Sequence, residues 1–365
     1  MRILFLGDYS NLHACLAKEL KKRGHDVTVV SDGGRYMDTQ KDILLDRRHG
    51  RIGAFRYLYD LFSILPSLRD YDAVQLINPH FLSLRPGKLQ YFFKILKRQN
   101  RSVFLTLAGD DYNFVSKCLD GKTFRFSEFR VGDTPTEFET RTGQSAAWNA
   151  RGMKEYNDFI FSNIDGAMAV LPEYDMAARP LLRERLAFTN IPVDLSEISF
   201  SPMNISGKIR LFIGIRSGME IRKGTAYLLD LCRRLEREMP DRCVTECVRD
   251  LPLREYLRRM ASSHIVLDQL YSYSPGTNGF QAMALGRVAG TGAQPEFYEY
   301  IGEPLSRPIF TLSPLEDTET RLRELILNPE KMPAMGAEGR CIVEKNNDVA
   351  IVADRFLNHW NNILK

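Results

Sequence analysis

The sequence RILFLGDYSNLHACLAKELKKRGHDVTVV, residues 2–30, predicts a strand, a helix and a second strand. Residues 2–6 form a short apolar run and residues 27–30 are mostly β-branched, as is typical of buried strands. Between them leucine recurs every four residues, as on one face of a helix, at Leu12, Leu16 and Leu20. A strand–helix–strand unit of this length requires parallel strands joined by a right-handed crossover.

The same alternation continues along the chain. Further strand-like runs, separated by helical patterns, lie at residues 73–77, 103–107 and 166–170. Residues 112–145 are polar, aromatic and weakly periodic, which indicates an insertion or a mobile loop.

A change of composition divides the chain. Residues 190–207 are rich in Pro, Ser and Asn, and a second β/α series begins at Ile209. The fold class is therefore α/β, and we predict two doubly wound domains, residues 1–192 and residues 193–348.

The composition excludes several classes of protein. Of the 365 residues, 44% are hydrophobic and 26% are charged, and the formal net charge of +4 does not favour a nucleic-acid partner. No run of about 18 uncharged apolar residues predicts a membrane span, and residues 1–8 do not have the pattern of a signal peptide. The six cysteines include no Cys-x-x-Cys pair. We therefore expect no metal, no cofactor and a reducing, cytoplasmic location.

Basic residues are concentrated near the N-terminus. Residues 1–101 contain 18 Lys and Arg against 10 Asp and Glu, whereas residues 102–195 contain 10 against 14. One interpretation is an ordinary solvated surface. The other is a face that meets an anionic membrane or a diphosphate-linked acceptor. The basic residues behind the second interpretation include Arg47, Arg48, Arg51, Arg56, Lys94, Lys97, Arg98 and Arg101.

Five segments, in order, resemble retaining GT-B glycosyltransferases of family 4, which include many bacterial polysaccharide enzymes. They are RGHDVTV at residues 23–29, LTLAGDD at 105–111, NIPVDLSEISFSP at 190–202, GFQAMALGRV at 279–288, and the closing helices from residue 325 to 340. Each motif alone is weak, but their order covers almost the whole chain.

The resemblance implies two Rossmann-like domains facing each other across a cleft. Residues 1–192 would be the acceptor side, with the C-terminal helix at 349–365 packing back onto it. Residues 193–348 would bind the nucleotide sugar.

The donor diphosphate needs fixed dipoles and cations. Backbone N–H groups where a helix starts suit a phosphate, which points to Gly276, Thr277 and Asn278, although a plain glycine turn into a core helix fits the same residues. The resemblance places a diphosphate-binding Arg and Lys at Arg216 and Lys223, with Arg222 as a competitor.

The family's pair of glutamates is missing from this chain. The matching positions hold Tyr273 and Gln281. Gln281 can still hydrogen-bond to ribose hydroxyls and the Tyr273 hydroxyl could reach a sugar, but neither carries a carboxylate's charge. Asp268, which ends a strand, is a possible substitute acid.

In the first domain we predict His13 and Asp111 as catalytic candidates. His13 follows the loop after the first strand, and Asp111 matches the acid of the family turn. The alternatives are a satisfied surface or core histidine and an ordinary aspartate cap.

The expected function is transfer of a sugar, with retention, from a UDP- or GDP-sugar to a glycan or lipid-linked acceptor in polysaccharide biosynthesis. The expected location is cytoplasmic, with peripheral contact at the inner face of the plasma membrane. One alternative is an inactive GT-B protein that binds a nucleotide or glycan as a partner subunit. Sugar-nucleotide epimerisation is a second alternative.

Overall fold

The structure is a computed structural model that describes residues 1–32, 41–48, 50–150, 152–305 and 308–365. Its contacts divide the chain into two compact units. Unit 1 comprises Met1–Ser116, Ala146–Pro192 and Val349–Lys365, and unit 2 comprises Lys117–Ser145 and Val193–Asp348.

The strands, in chain order, are β1 Arg2–Leu6, β2 Asp26–Ser31, β3 Ile43–Leu44, β4 Ala73–Leu76, β5 Val103–Leu107, β6 Arg130–Val131, β7 Thr134–Pro135, β8 Gly166–Ala169, β9 Leu186–Phe188, β10 Ile209–Ile215, β11 Cys243–Arg249, β12 Ile265–Leu267, β13 Val288–Thr291 and β14 Phe310–Thr311. The α-helices are α1 Leu12–Lys22, α2 Gly50–Ile64, α3 Pro86–Gln99, α4 Tyr112–Leu119, α5 Glu137–Thr142, α6 Ser145–Trp148, α7 Met153–Asn163, α8 Pro172–Leu182, α9 Thr225–Glu238, α10 Leu253–Ala261, α11 Thr277–Ala284, α12 Pro295–Ile301, α13 Thr318–Leu327, α14 Met332–Asn346 and α15 Val349–Leu364.

Each unit is built on one parallel sheet. The sheet of unit 1 has the strand order β3-β2-β1-β4-β5-β8-β9, and that of unit 2 has the order β11-β10-β12-β13-β14. The chain order reverses between β1 and β4 in unit 1 and between β10 and β12 in unit 2. Ligands of open parallel sheets bind beyond the carboxyl ends of the strands at such a reversal, so these two edges are where functional residues are expected.

Residues 112–145 contain defined elements instead of the predicted loop. Helix α4 opens the segment, and the antiparallel hairpin of β6 and β7 leads into α5. Residues 117–145 group with unit 2, whereas our predicted boundaries left them in the first domain. The physical cause is a set of side-chain contacts between residues 117–145 and the rest of unit 2.

The C-terminal helix α15 belongs to unit 1 and closes its core. Val352, Phe356 and Trp360 are fully buried. The indole N–H of Trp360 donates to Gln75 Oε1 at 2.9 Å, and Gln75 Nε2 donates to Thr106 Oγ1 at 2.9 Å. Buried polar groups are costly unless paired, so this chain of hydrogen bonds fixes the helix against β4 and β5.

Candidate functional site

Three residues that we predict to bind the sugar donor lie together around Asp268, where the strand order of the unit 2 sheet reverses. Asp268 directly follows β12 and is 1% exposed. Its Oδ1 lies 3.5 Å from Lys223 Nζ and 3.3 Å from Asn278 Nδ2. A buried carboxylate requires compensation of this kind, and Lys223 and Asn278 supply it.

The second oxygen of Asp268 faces the start of α11. A Cβ added to Gly276, the residue that caps this helix, would lie 3.7 Å from Asp268 Oδ2 and 3.2 Å from Gln269 Nε2. Oδ2 is buried and has no hydrogen-bond partner within the described part of the chain. The first N–H groups of a helix lack intrahelical partners, so N–H donors, a cation and a carboxylate converge here.

Gly214 makes room for another side chain at the same edge. A Cβ on Gly214, in β10, would meet the Tyr256 hydroxyl at 2.1 Å, so only glycine admits this tyrosine from α10. The Tyr256 ring also packs edge-on against Phe212, with centroids 5.4 Å apart. Burial, with Asp268 nearby, raises the pKa of Tyr256, so its phenol stays neutral at physiological pH.

The two arginines of the loop after β10 differ in their surroundings. Arg216 is exposed just beyond β10. Arg222 forms two hydrogen bonds with the Glu128 carboxylate, and its guanidinium lies 5.4 Å from the Phe138 ring centroid. Arg222 therefore anchors residues 117–145, and Lys223 is the cation that this loop directs to Asp268.

Removing the Arg222 anchor tests the role of that ion pair. We expect Arg222→Ala to increase tryptic cleavage within residues 117–145 several-fold, because Glu128 loses its partner in a largely buried pair, at a cost of about 1–3 kcal/mol. Glu137→Gln is the matched control, since it breaks the Arg141–Glu137 pair of the same segment, which is exposed on both sides, and leaves every trypsin site in place. Equal cleavage of the two variants would contradict this role.

Tyr273 packs against the same segment instead of facing the Asp268 cluster. It is 2% exposed, and its ring packs against those of Phe124 and Phe126 with centroid distances of 5.4 and 4.8 Å. Its hydroxyl accepts a hydrogen bond from the backbone N–H of Arg125 at 2.5 Å. This placement contradicts our expectation that the hydroxyl meets a donor sugar.

The other residues that we predict to bind the sugar donor lie on α11. Thr277 and Asn278 are half-buried in its first turn, and Gln281 is buried one turn later. Gln281 stays a predicted donor-binding residue, with 9% of its surface exposed.

His13 is a structural residue, which corrects its assignment as catalytic. It is completely buried. Its Nδ1 donates to the Gly7 carbonyl at 2.7 Å, and its Nε2 accepts from the Thr106 hydroxyl at 3.0 Å. Burial lowers the pKa of His13 to about 3, so the ring is neutral and both nitrogens are occupied.

Asp111 is a buried helix cap. It is 3% exposed, and its Oδ1 accepts the backbone N–H of Phe114 at 2.7 Å in the first turn of α4. Burial, reinforced by the carboxylate of Asp110, raises its pKa to about 7. The structure thus favours an aspartate cap over a catalytic role for Asp111.

These two pKa shifts predict opposing pH dependences. Between its ordinary pKa of 6.5 and about 3, His13 binds a proton more readily in the unfolded chain, so stability falls as the pH falls. Between its ordinary pKa of 3.8 and about 7, Asp111 binds a proton more readily in the folded chain, so stability falls as the pH rises. Each slope is at most about 1.4 kcal/mol per pH unit.

Single variants should separate the two slopes. From pH 6.5 down to 4, we expect His13→Gln to gain stability relative to wild type and Asp111→Asn to lose it, because each variant removes one of the opposing effects. Urea unfolding at several pH values measures both. Parallel pH profiles for wild type and the two variants would contradict the two pKa shifts.

A pocket of about 450 Å³ lies at the reversal of unit 1 and was missed by the sequence prediction. It is lined by residues that follow β1, β2 and β4, including Asp8, Tyr9, Asp32, His80 and Arg85. Asp32 Oδ2 accepts hydrogen bonds from the Tyr57 hydroxyl at 2.5 Å and from the backbone N–H of Ser83 at 2.7 Å. Polar residues directly after adjacent parallel strands were the signal that could have identified it.

The described residues bring together no group of three or more His, Cys, Asp or Glu side chains that could hold a metal ion. No helix in that part of the chain has both the length and the apolar character to cross a bilayer.

Comparisons with known proteins agree with the fold. No protein-family model and no curated protein matches the sequence. Among solved structures, HepE from Anabaena, in complex with UDP-glucose, is similar with a TM-score of 0.62 at 12% identity, covering 99% of this chain and 100% of that chain. Sucrose-phosphate synthase from Thermosynechococcus elongatus is similar with a TM-score of 0.62 at 12% identity, covering 100% and 99%.

A third similar structure is WaaG, a glycosyltransferase involved in lipopolysaccharide biosynthesis. Its TM-score is 0.57 at 12% identity, covering 96% of this chain and 98% of that chain. These likenesses span both units. The chain has the GT-B fold of glycosyltransferases, and the prediction of two Rossmann-like α/β domains is confirmed.

Proposed function

We propose that the protein is a glycosyltransferase that takes a nucleotide-diphosphate sugar, with UDP or GDP as the nucleotide, on unit 2. The observation that carries this proposal is the convergence of Lys223, Asp268 and Asn278 at the start of α11. HepE, which shares the fold, was solved with UDP-glucose.

Each of these groups has a task in sugar transfer. Negative charge grows on the leaving diphosphate, and the Lys223 ammonium and the first N–H groups of α11 stabilise it. Asp268 cannot meet a phosphate directly, because like charges repel. Its Oδ2 is therefore assigned to hydroxyl groups of the donor, which takes over the hydrogen bonding of the absent glutamates at Tyr273 and Gln281.

The pocket of unit 1 is proposed as the acceptor site. Carboxylates such as those of Asp8 and Asp32 accept hydrogen bonds from sugar hydroxyls, and Tyr9 offers an aromatic surface at its rim. The acceptor class is a glycan or a lipid-linked acceptor. Retention and a role in polysaccharide biosynthesis complete the proposal and rest on the sequence resemblance.

A thermal-shift panel of UDP-, GDP-, ADP- and TDP-sugars tests donor binding. A ligand that binds only the folded state raises the unfolding temperature, by an amount that corresponds to about 2.7 kcal/mol at a hundredfold excess over Kd. We expect a shift with UDP- or GDP-sugars that Lys223→Ala removes. No shift with any of the four would contradict the proposal.

The second candidate is a non-catalytic GT-B subunit that binds a nucleotide or glycan. It is favoured by the loss of both glutamates and by the burial of Tyr273 against residues 117–145. Binding of a donor sugar without release of nucleoside diphosphate, in the presence of acceptor, would support this function instead.

A further inference from the structure

Helix α2 has apolar residues on two opposite faces. One face is buried in unit 1 and consists of Gly53, Tyr57 and Leu61. The other is exposed and consists of Ile52, Phe55, Tyr59 and Phe62, with exposed fractions of 87, 75, 68 and 49%. At about 100° per residue, the exposed four cover roughly 80° of the helix, opposite the buried three. Packing within a domain requires only one such face, so folding does not explain the second.

Arginines flank this exposed stripe. By helical position, Arg56 lies on one side of it and Arg51 on the other, and both are exposed. The one acid of α2, Asp60, lies 3.9 Å from Arg56.

The neighbouring helix α3 adds more positive charge. The rings of Phe62 and Phe92 meet with centroids 5.2 Å apart and join the two helices. Helix α3 contains no acid, and its exposed positions include Lys88, Tyr91, Lys94 and Arg98. The surroundings of the stripe are therefore basic over two helices.

We propose that Ile52, Phe55, Tyr59 and Phe62, with Arg51 and Arg56, form a docking surface for an anionic lipid bilayer. Helices that lie in a membrane interface insert one apolar face and place basic residues against anionic headgroups. Aromatic residues are also preferred at this depth.

The charge argues against a second copy of the chain on this surface. A symmetric dimer would place the arginines of one copy against those of the other, and like charges across an interface are unfavourable. The inference rests on the proposed function for its link to a lipid-linked acceptor, but docking is measurable without sugar transfer.

Vesicle co-sedimentation of the full chain tests the surface. We expect wild type to bind vesicles of phosphatidylcholine with phosphatidylglycerol and to bind pure phosphatidylcholine much less. Ile52→Ser/Phe55→Ser/Tyr59→Ser should weaken binding to the anionic vesicles about tenfold or more, through lost insertion. Arg51→Gln/Arg56→Gln should also weaken it about tenfold or more, through lost headgroup attraction.

The matched control is Leu315→Ser/Leu327→Ser, which removes two exposed apolar side chains of unit 2 and should leave binding unchanged. Failure of wild type to bind anionic vesicles, or equal binding by the triple variant, would overturn the proposal. So would a concentration-dependent dimer in analytical ultracentrifugation that the triple variant abolishes, since the surface would then pair two copies. Release of nucleoside diphosphate, measured in parallel without vesicles, separates a failure of docking from a failure of the proposed transferase.

Discussion

Replacing Lys223 by alanine is expected to lower sugar-donor turnover by about 100-fold or more. The Lys223 ammonium lies 3.5 Å from Asp268 at the start of α11, where the leaving diphosphate would gain charge. Loss of a preorganised cation there raises the barrier to transfer and also weakens donor binding. Initial rates of nucleoside diphosphate release and calorimetric titration with UDP and GDP measure the two effects.

Two control variants make this result interpretable. Lys208→Ala removes an exposed lysine just before the opposite, amino end of β10 and should leave both quantities unchanged. Lys223→Ala/Asp268→Asn removes both charges of the pair, so it avoids the buried unpaired carboxylate that the single variant leaves. This double variant should remain folded, and its sugar-donor turnover should still be low. Wild-type turnover in Lys223→Ala would contradict the assignment of Lys223.

Replacing Trp360 by alanine is expected to destabilise unit 1 by about 3–5 kcal/mol. The indole is fully buried and packs against Phe5, Phe104 and Phe356, with ring centroids 6.1, 6.3 and 5.6 Å away. Its removal leaves a cavity and an unpaired Gln75 carbonyl oxygen. Urea unfolding of the full chain measures the loss.

The chain's other tryptophan supplies a matched comparison. Trp148 is half-buried beside His80, so Trp148→Ala should cost clearly less. Trp360→Phe keeps most of the packing and loses the hydrogen bond, at a cost of about 1–3 kcal/mol. Similar stabilities for the two alanine variants would mean that α15 does not close the core of unit 1.

The parallel sheets could be predicted because their signal is local. Apolar runs separated by helical periodicity, as in residues 2–30, allow few arrangements other than βαβ units. The placement of Lys223, Asn278 and Gly276 could also be predicted, because each lies next to the end of a strand or the start of a helix.

The misassigned residues depend on partners far away in the sequence. His13 becomes a core residue through Thr106, 93 positions later, and a single helix pattern does not distinguish a buried histidine from one at a site edge. Tyr273 is held by Arg125, 148 positions earlier. Long-range contacts of the same kind explain why residues 117–145 group with unit 2. The pair of Glu128 and Arg222 could not be predicted, because the sequence around either residue does not indicate its partner.

Release of free nucleoside diphosphate from donor sugars tests the central proposal most directly. Wild type, Lys223→Ala and Lys208→Ala would be incubated with UDP- and GDP-sugars, with and without a glycan acceptor. We predict release by wild type and Lys208→Ala from at least one donor. Release by Lys223→Ala should be slower by about 100-fold or more. Equal release by all three proteins, or binding of a donor with no release by wild type under any condition, would contradict a transferase built on Lys223 and Asp268.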